Sequence, residues 1–142
     1  MKLKVNKNLV FIGELLLILV FSYTAIHKII DFSGWIKKVS ELDLVREYNL
    51  LWLGYLVPFL EIIIVVLFCF TRTKKMAAYL STLAMAFFTV YIFYKIYIAE
   101  DSLCPCGGIF SSLTLDKHLI VNIILLLISI LLLINGKNEK NY

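Results

Sequence analysis

Proline and glycine are scarce in this chain, with two and six among 142 residues. That scarcity excludes a long linker or a low-complexity segment, which draw on those residue types. No internal repeat is present. Polar residues are also short in supply. The sequence is 61% hydrophobic, against about 45–50% for an ordinary soluble domain. A chain of this length still exposes much of its surface on folding, so the excess cannot be hidden in one small core. Lipid as the solvent removes that conflict, and the mean hydropathy of +0.90 agrees with it. The net charge of +4 does not indicate nucleic acid. The basic residues sit at the ends of apolar runs, and no basic, aromatic-interleaved soluble surface exists to follow a phosphate backbone.

Four apolar segments are present, at about 9–30, 50–70, 76–99 and 119–134. Each is near the ~20 residues that span a bilayer core as a helix. Backbone groups in lipid must be satisfied within the segment, so helix is the expected state. The fourth run is short and can extend through Asp116 and Lys117. The expected fold is therefore an all-α membrane protein, a four-transmembrane-helix bundle forming a single domain over 1–142. The opening MKLKVNKN followed by an apolar run has the outline of a signal peptide. The run is long, however, Glu14 interrupts it, and Tyr23-Thr24-Ala25-Ile26 is a poor cleavage site. An uncleaved first helix is the expectation.

Orientation follows from the charges. Lys2, Lys4, Lys7, Arg72, Lys74, Lys75, Lys137 and Lys140 fall on one side with only Glu139 as an acid. Lys28, Lys37, Lys38, Arg46, Lys95 and Lys117 fall on the other, among more numerous acids. The positive-inside rule makes both termini and the turn at 71–75 cytoplasmic. The segments at 32–49 and 100–117 then face outward from the cell (inner) membrane. In the first of these, Phe32, Trp35, Ile36, Val39 and Leu42 recur at helical spacing, with Ser33 available as a cap. The pattern predicts a short amphipathic helix on the outer face. It is either a membrane-surface helix anchored by Trp35 or a lid over a site in the bundle.

The sharpest local feature is Cys104-Pro105-Cys106-Gly107-Gly108 in the second outer segment. Two cysteines one residue apart can close a disulfide if the turn brings their Cα atoms to roughly 5–6 Å. Proline fixes one backbone angle, and the glycines permit a tight turn. A ring so small is strained, and strained disulfides are the exchangeable ones. The outward compartment tolerates disulfides. The N-terminus of the fourth helix and Lys95 would favour a thiolate. The preferred reading is an exchanging redox pair formed by Cys104 and Cys106. A static structural disulfide, a metal site completed by His118 or His27, and incidental cysteines stand beside it. Cys69 ends the second helix on the cytoplasmic side, a membrane thickness (about 30 Å) from that pair, and is read as a small buried hydrophobe.

Glu61 is the main anomaly within the apolar runs. It lies about ten residues below the outer end of its helix, hence about 15 Å deep at 1.5 Å per residue. An ionised carboxylate there is expensive. It should be protonated, paired or hydrogen-bonded inside the bundle. Glu14 sits nearer the cytoplasmic end and reaches the interface more easily. His27 and Lys28 close the outer end of the first helix and His118 opens the fourth, at the same depth as the cysteine pair. Phe87, Tyr91, Tyr94 and Tyr97 add an aromatic stripe to the third helix. The stripe is either packing and interface belt or the wall of an apolar pocket for a quinone-like electron carrier.

These residues carry a family resemblance. The chain resembles the DoxX-like membrane proteins and, within them, the methylamine-utilisation MauE branch. The run from Tyr23 to Phe32, with Ala25, Lys28 and Asp31, is similar to the family's first-helix exit. Val57-Pro58-Phe59-Leu60-Glu61 is similar to its proline–glutamate element. Cys104-Pro105-Cys106-Gly107 matches the C-x-C of the MauE branch. Many MauE-like sequences place an aromatic residue directly after the second cysteine, where Gly107 stands here. The resemblance covers nearly the whole chain. It implies a four-helix membrane bundle associated with thiol redox outside the cytoplasm. In the methylamine case that activity is linked to maturation of a disulfide-rich dehydrogenase subunit. The arrangement is also similar to vitamin K epoxide reductase-like bundles, in which a cysteine pair beside a helix start meets a quinone.

The expectation for function is thus a membrane-embedded thiol–disulfide redox protein acting on the extracytoplasmic side. Cys104 and Cys106 are its redox pair, and Lys95, His118, Glu61, Lys28 and His27 support it. No metal is required, and quinone is the one cofactor to consider. The expected partners are the lipid bilayer and a thioredoxin-like or secreted cysteine-containing protein. A non-catalytic scaffold subunit is the rival reading, and a small-molecule transporter a third.

Overall fold

A computed structural model describes residues 6–97 and 115–138, all of them helices and the turns between them. The helices are α1 (Lys7–Ile30), α2 (Phe32–Ser40), α3 (Asp43–Glu47), α4 (Leu53–Cys69), α5 (Lys74–Tyr97) and α6 (Leu115–Asn138). Three of them are long and apolar enough to cross a membrane: α1, α5 over Lys74–Tyr94 and α6 over Lys117–Asn135. The fourth apolar helix, α4, is shorter at 17 residues, or about 25 Å at 1.5 Å per residue. Its apolar run begins earlier, but residues 50–52 form tight turns, with Leu53 N–H bonded to Leu50 O (2.9 Å) and Gly54 N–H to Leu51 O (3.0 Å). Of the four spans expected from hydropathy, the last, read as short, is a full 24-residue helix, and the short one is α4.

Helix ends explain the connections. The Asn6 side chain caps α1 by accepting from Asn8 N–H at 3.2 Å. Asp31 ends α1 and also caps α2, accepting from Gly34 N–H at 3.2 Å. Ser33, the expected cap, lies inside α2. Gly34 is required by this cap, because a Cβ there would fall 2.3 Å from the Asp31 carboxylate. After α3, Asn49 adopts φ 53°, a left-handed conformation that asparagine tolerates better than most. Leu50 N–H then closes back on Val45 O at 2.9 Å, as at the Schellman type of helix end. At the far end of α4 the Thr73 hydroxyl donates to Leu67 O at 2.7 Å, satisfying a carbonyl that the helix end leaves open.

The long helices pack in a ring, α1 on α4, α4 on α5, α5 on α6 and α6 back on α1. Their core holds Leu17, Phe21, Ile64, Phe68, Ala77, Ala78, Met85, Leu125 and Leu132. Ala77, Ala78 and Ser81 are fully or nearly fully buried on α5, and such small residues let helix backbones approach closely in lipid. Gly13 does the same for α1 against α6, since a Cβ there would lie 3.1 Å from Ile128. The outward surface is apolar on every long helix, with Phe11, Leu19, Phe59, Val66, Leu83, Val90, Ile120 and Leu127 among its exposed side chains. Near the turn that joins α4 and α5, Lys74 Nζ pairs with Glu14 Oε2 at 2.6 Å.

Cys69 departs from expectation. It is a free thiol and it is exposed. A buried site was expected because free cysteine is usually a core residue, but in a bundle clothed by lipid an apolar side chain loses little by pointing outward.

Candidate functional site

Four buried polar residues of the bundle, Lys28, Glu61, His118 and Asn122, converge on one place. Lys28, in the last turn of α1, reaches across to α4 and donates to Glu61 Oε1. Both side chains are buried, at 6% and 4% exposure. Taking two charges out of water costs several kcal/mol per ion, which their mutual attraction must offset. Additional contacts hold the ammonium. It lies 4.9 Å from the centroid of the Trp35 ring and 5.5 Å from that of Phe88, both within the ~6 Å range of a cation–π interaction. Its position near the C-terminal end of α1 also places it where the helix dipole favours a cation.

Trp35 is thus no outward anchor. It is 9% exposed and its indole N–H donates to Gly54 O at 2.7 Å. The reason lies four residues further on. Pro58 sits inside α4 and has no N–H, so it cannot bond the carbonyl of residue 54 as an ordinary helical residue would. Trp35 supplies the missing donor. Gly54 permits the approach, since a Cβ there would meet Ile36 Cδ1 at 2.7 Å. Helix α2 is therefore stitched to α4 over the buried pair, with Val39 and Val45 packed behind the indole. The buried indole does not serve as the surface anchor expected for this helix.

This contact carries a prediction. Trp35→Phe keeps an aromatic ring but leaves Gly54 O without its donor, a loss of about 1–3 kcal/mol for a buried unsatisfied group. Pro58→Ala in that background should recover part of it, because residue 58 then has an N–H to offer. Thermal unfolding of the purified variants in one detergent measures both steps. A double variant no more stable than Trp35→Phe would sever the link between the indole and the proline.

Around the pair lies a cavity of about 50 Å³, lined by Val20, Phe21, Thr24, Lys28, Glu61, Met85, Phe88, His118, Asn122 and Leu125. Its walls come from α1, α4, α5 and α6. His118 and Asn122 stand four residues apart on α6, so they share a face, and are 5% and 7% exposed. Of the residues expected to support a site, Lys28, Glu61 and His118 are brought together here. His27 is half-buried beside Tyr23, with ring centroids 5.8 Å apart, and is not among the lining residues. Lys95 belongs to α5 by its backbone, while its side chain is outside the described residues, as are Cys104 and Cys106. The aromatic stripe on α5 divides. Phe87, Tyr94 and Tyr97 face outward, and Tyr91 is half-buried.

Thr24, Trp35, Phe88 and Asn122 join this site without being candidates by sequence pattern alone. Asn122 had a signal, a lone amide within an apolar run one helical turn after His118. Trp35 had another, an indole preceding a helix whose proline strands a carbonyl.

The comparison with known families fits this geometry. Residues 6–135 match the model of the family described as "Methylamine utilisation protein MauE". The chain belongs to the MauE family. No curated protein and no solved structure matches it. The match runs from the cap of α1 to the last turns of α6, so it takes in every wall of the cavity. Apolar helices and MauE membership together make this a multi-pass membrane protein whose outer surface contacts lipid. Within the family frame, Lys28 and Asp31 of the first-helix exit acquire separate duties. Lys28 pairs with Glu61 and Asp31 caps α2. The proline–glutamate element likewise does two things, as Pro58 recruits Trp35 and Glu61 receives Lys28.

Proposed function

We propose that this MauE-family protein is a thiol–disulfide redox protein of the cell membrane, working on the extracytoplasmic side through Cys104 and Cys106. The observation that carries the reading is the family match over residues 6–135, a span that includes the C-P-C sequence. In this reading the chain crosses the membrane four times, with α4 as the short crossing. Both ends are cytoplasmic, α2 lies over the outer end of the bundle, and the cysteine pair is outside. Helix α5 leads into the cysteine segment and α6 leads out of it. His118 stands one turn inside α6, at the same end of the bundle as Lys28. A thiolate near that helix start would be favoured by the dipole. Lys28 and Glu61 organise the bundle beneath it. The client is a thioredoxin-like or secreted protein with a cysteine pair of its own. By the family's description, the setting is methylamine utilisation.

Orientation is the first test. After reduction, Cys104 should react with a membrane-impermeant thiol reagent added outside intact cells. Cys69, exposed at the opposite end of α4, should react only once the cytoplasmic face is opened. Labelling of Cys104 from the cytoplasmic side alone would reject both the topology and the redox reading.

A further inference from the structure

The Lys28–Glu61 pair satisfies only half of the carboxylate. Glu61 Oε2 is buried and has no hydrogen-bond partner among the described residues, and the residue as a whole is 3% exposed. The Thr24 hydroxyl lies beside the carboxylate, but its single proton is directed at Val20 O (3.0 Å) or Phe21 O (3.2 Å). A carboxylate oxygen left bare at this burial costs more than a neutral group would, and neutral groups already cost about 1–3 kcal/mol. What adjoins it is the cavity of about 50 Å³. A water needs roughly 10–15 Å³ of such space and 2–4 polar partners. This cavity has room for a few waters, and polar side chains on three helices line it.

We propose that the cavity binds water, which joins Glu61 Oε2 to Asn122 and His118 and gives the buried Lys28–Glu61 pair a proton-exchange route toward the start of α6. Among the described residues, the titratable groups that line it are Lys28 from α1, Glu61 from α4 and His118 from α6. Among the described residues, helix α5 contributes Met85 and Phe88. The chemistry is balanced within the site. A proton passing from the Lys28 ammonium to Glu61 turns the ion pair into a neutral amine and a carboxylic acid, with no change in total charge. Water on Oε2 adds a second path, in which a proton passes between Glu61 and His118 through the water, the proton gained by one being the proton lost by the other. The volume suits water and is far below the ~300–1,000 Å³ of pockets that enclose larger ligands. The inference stands apart from the redox reading, since it uses neither cysteine.

Water-edited solid-state NMR tests it on the whole protein in lipid vesicles, with the glutamate carboxyl carbons and the isoleucine methyls labelled. The Glu61 signal is assigned by its loss in Glu61→Gln. Magnetisation from water should build up at Glu61 nearly as fast as at Glu14, which sits beside the exposed turn. It should be several-fold faster than at Ile64, one turn deeper on α4 and 2% exposed. Asn122→Leu and His118→Phe should each slow the build-up at Glu61 several-fold and leave Glu14 unchanged, whereas Asn122→Ser should retain the original rate. Build-up at Glu61 that tracks Ile64 in the unaltered protein overturns the proposal, and this comparison decides even where a variant fails to fold. Fast build-up unaffected by both Asn122→Leu and His118→Phe overturns the route.

Discussion

Glu61→Leu should destabilise the folded bundle by about 3–5 kcal/mol, the usual cost of removing one partner from a buried ion pair. The variant leaves the Lys28 ammonium between Trp35 and Phe88 with no counter-ion, and cation–π contacts of about 0.5–2 kcal/mol do not replace a carboxylate. Lys28→Met should cost a similar amount for the converse reason, a carboxylate deep in α4 with no cation. Combining the two should be far less harmful than their sum. Well-packed apolar residues in place of a buried pair are often neutral or stabilising, and lipid-facing helices impose no opposing demand. Glu61→Gln should be the mildest single change, because its amide oxygen still accepts from Lys28 in the same shape. Denaturant or thermal unfolding of the four variants in one detergent gives the coupling energy directly. A double variant as damaged as the sum of the singles, or equal stability of Glu61→Leu and Glu61→Gln, would mean that the pair does not hold α1 to α4.

That experiment bears on what a sequence can reveal. The long helices were legible because lipid imposes a simple rule: a run of about 20 apolar residues has few alternatives to helix. The short helix α2 was legible from its periodicity alone. Glu61, deep within its apolar run, and Lys28, at the end of the first, were each visible as polar interruptions, but their pairing was not. They are 33 residues apart, and Glu61 lies midway along its helix. Helix α4 begins at Leu53, so Glu61 is about 12 Å along it at 1.5 Å per residue, within reach of a lysine stem from α1.

Other features depended on tertiary contact and left weaker traces. Trp35 has the composition of an interface anchor, and only the carbonyl stranded by Pro58 turns it inward. Cys69 illustrates the reverse error. Burial statistics come from proteins in water, where an apolar side chain has one favourable destination. Here it has two, core and lipid, and periodicity cannot choose between them. The cavity was illegible for a further reason. It is the space left where Val20, Phe21, Met85, Phe88 and Leu125 fail to close over the polar residues, a property of four helices together.

On the redox reading, Cys104→Ser or Cys106→Ser should trap a covalent complex with the client. Exchange begins when one thiolate attacks a sulfur of the client's disulfide. A mixed disulfide forms and the client's other sulfur leaves as a thiolate, taking up a proton. The second cysteine then attacks the mixed disulfide, so the pair becomes oxidised and the client leaves with both sulfurs reduced. The reverse sequence oxidises a client dithiol, and both directions pass through the same linked species. A variant that keeps the attacking cysteine and lacks the resolving one stalls there. The expected result is a larger, reductant-sensitive band on a non-reducing gel from one single variant, none from the double variant, and near-complete loss of client oxidation or reduction in cells from all three. The spacing does not rank the two sulfurs, so both single variants are needed. Should neither single variant capture a client while the double variant keeps full activity, the cysteines are not the working groups. The bundle would then act as a scaffold, with the Lys28–Glu61 pair and the helix it anchors as its organising feature.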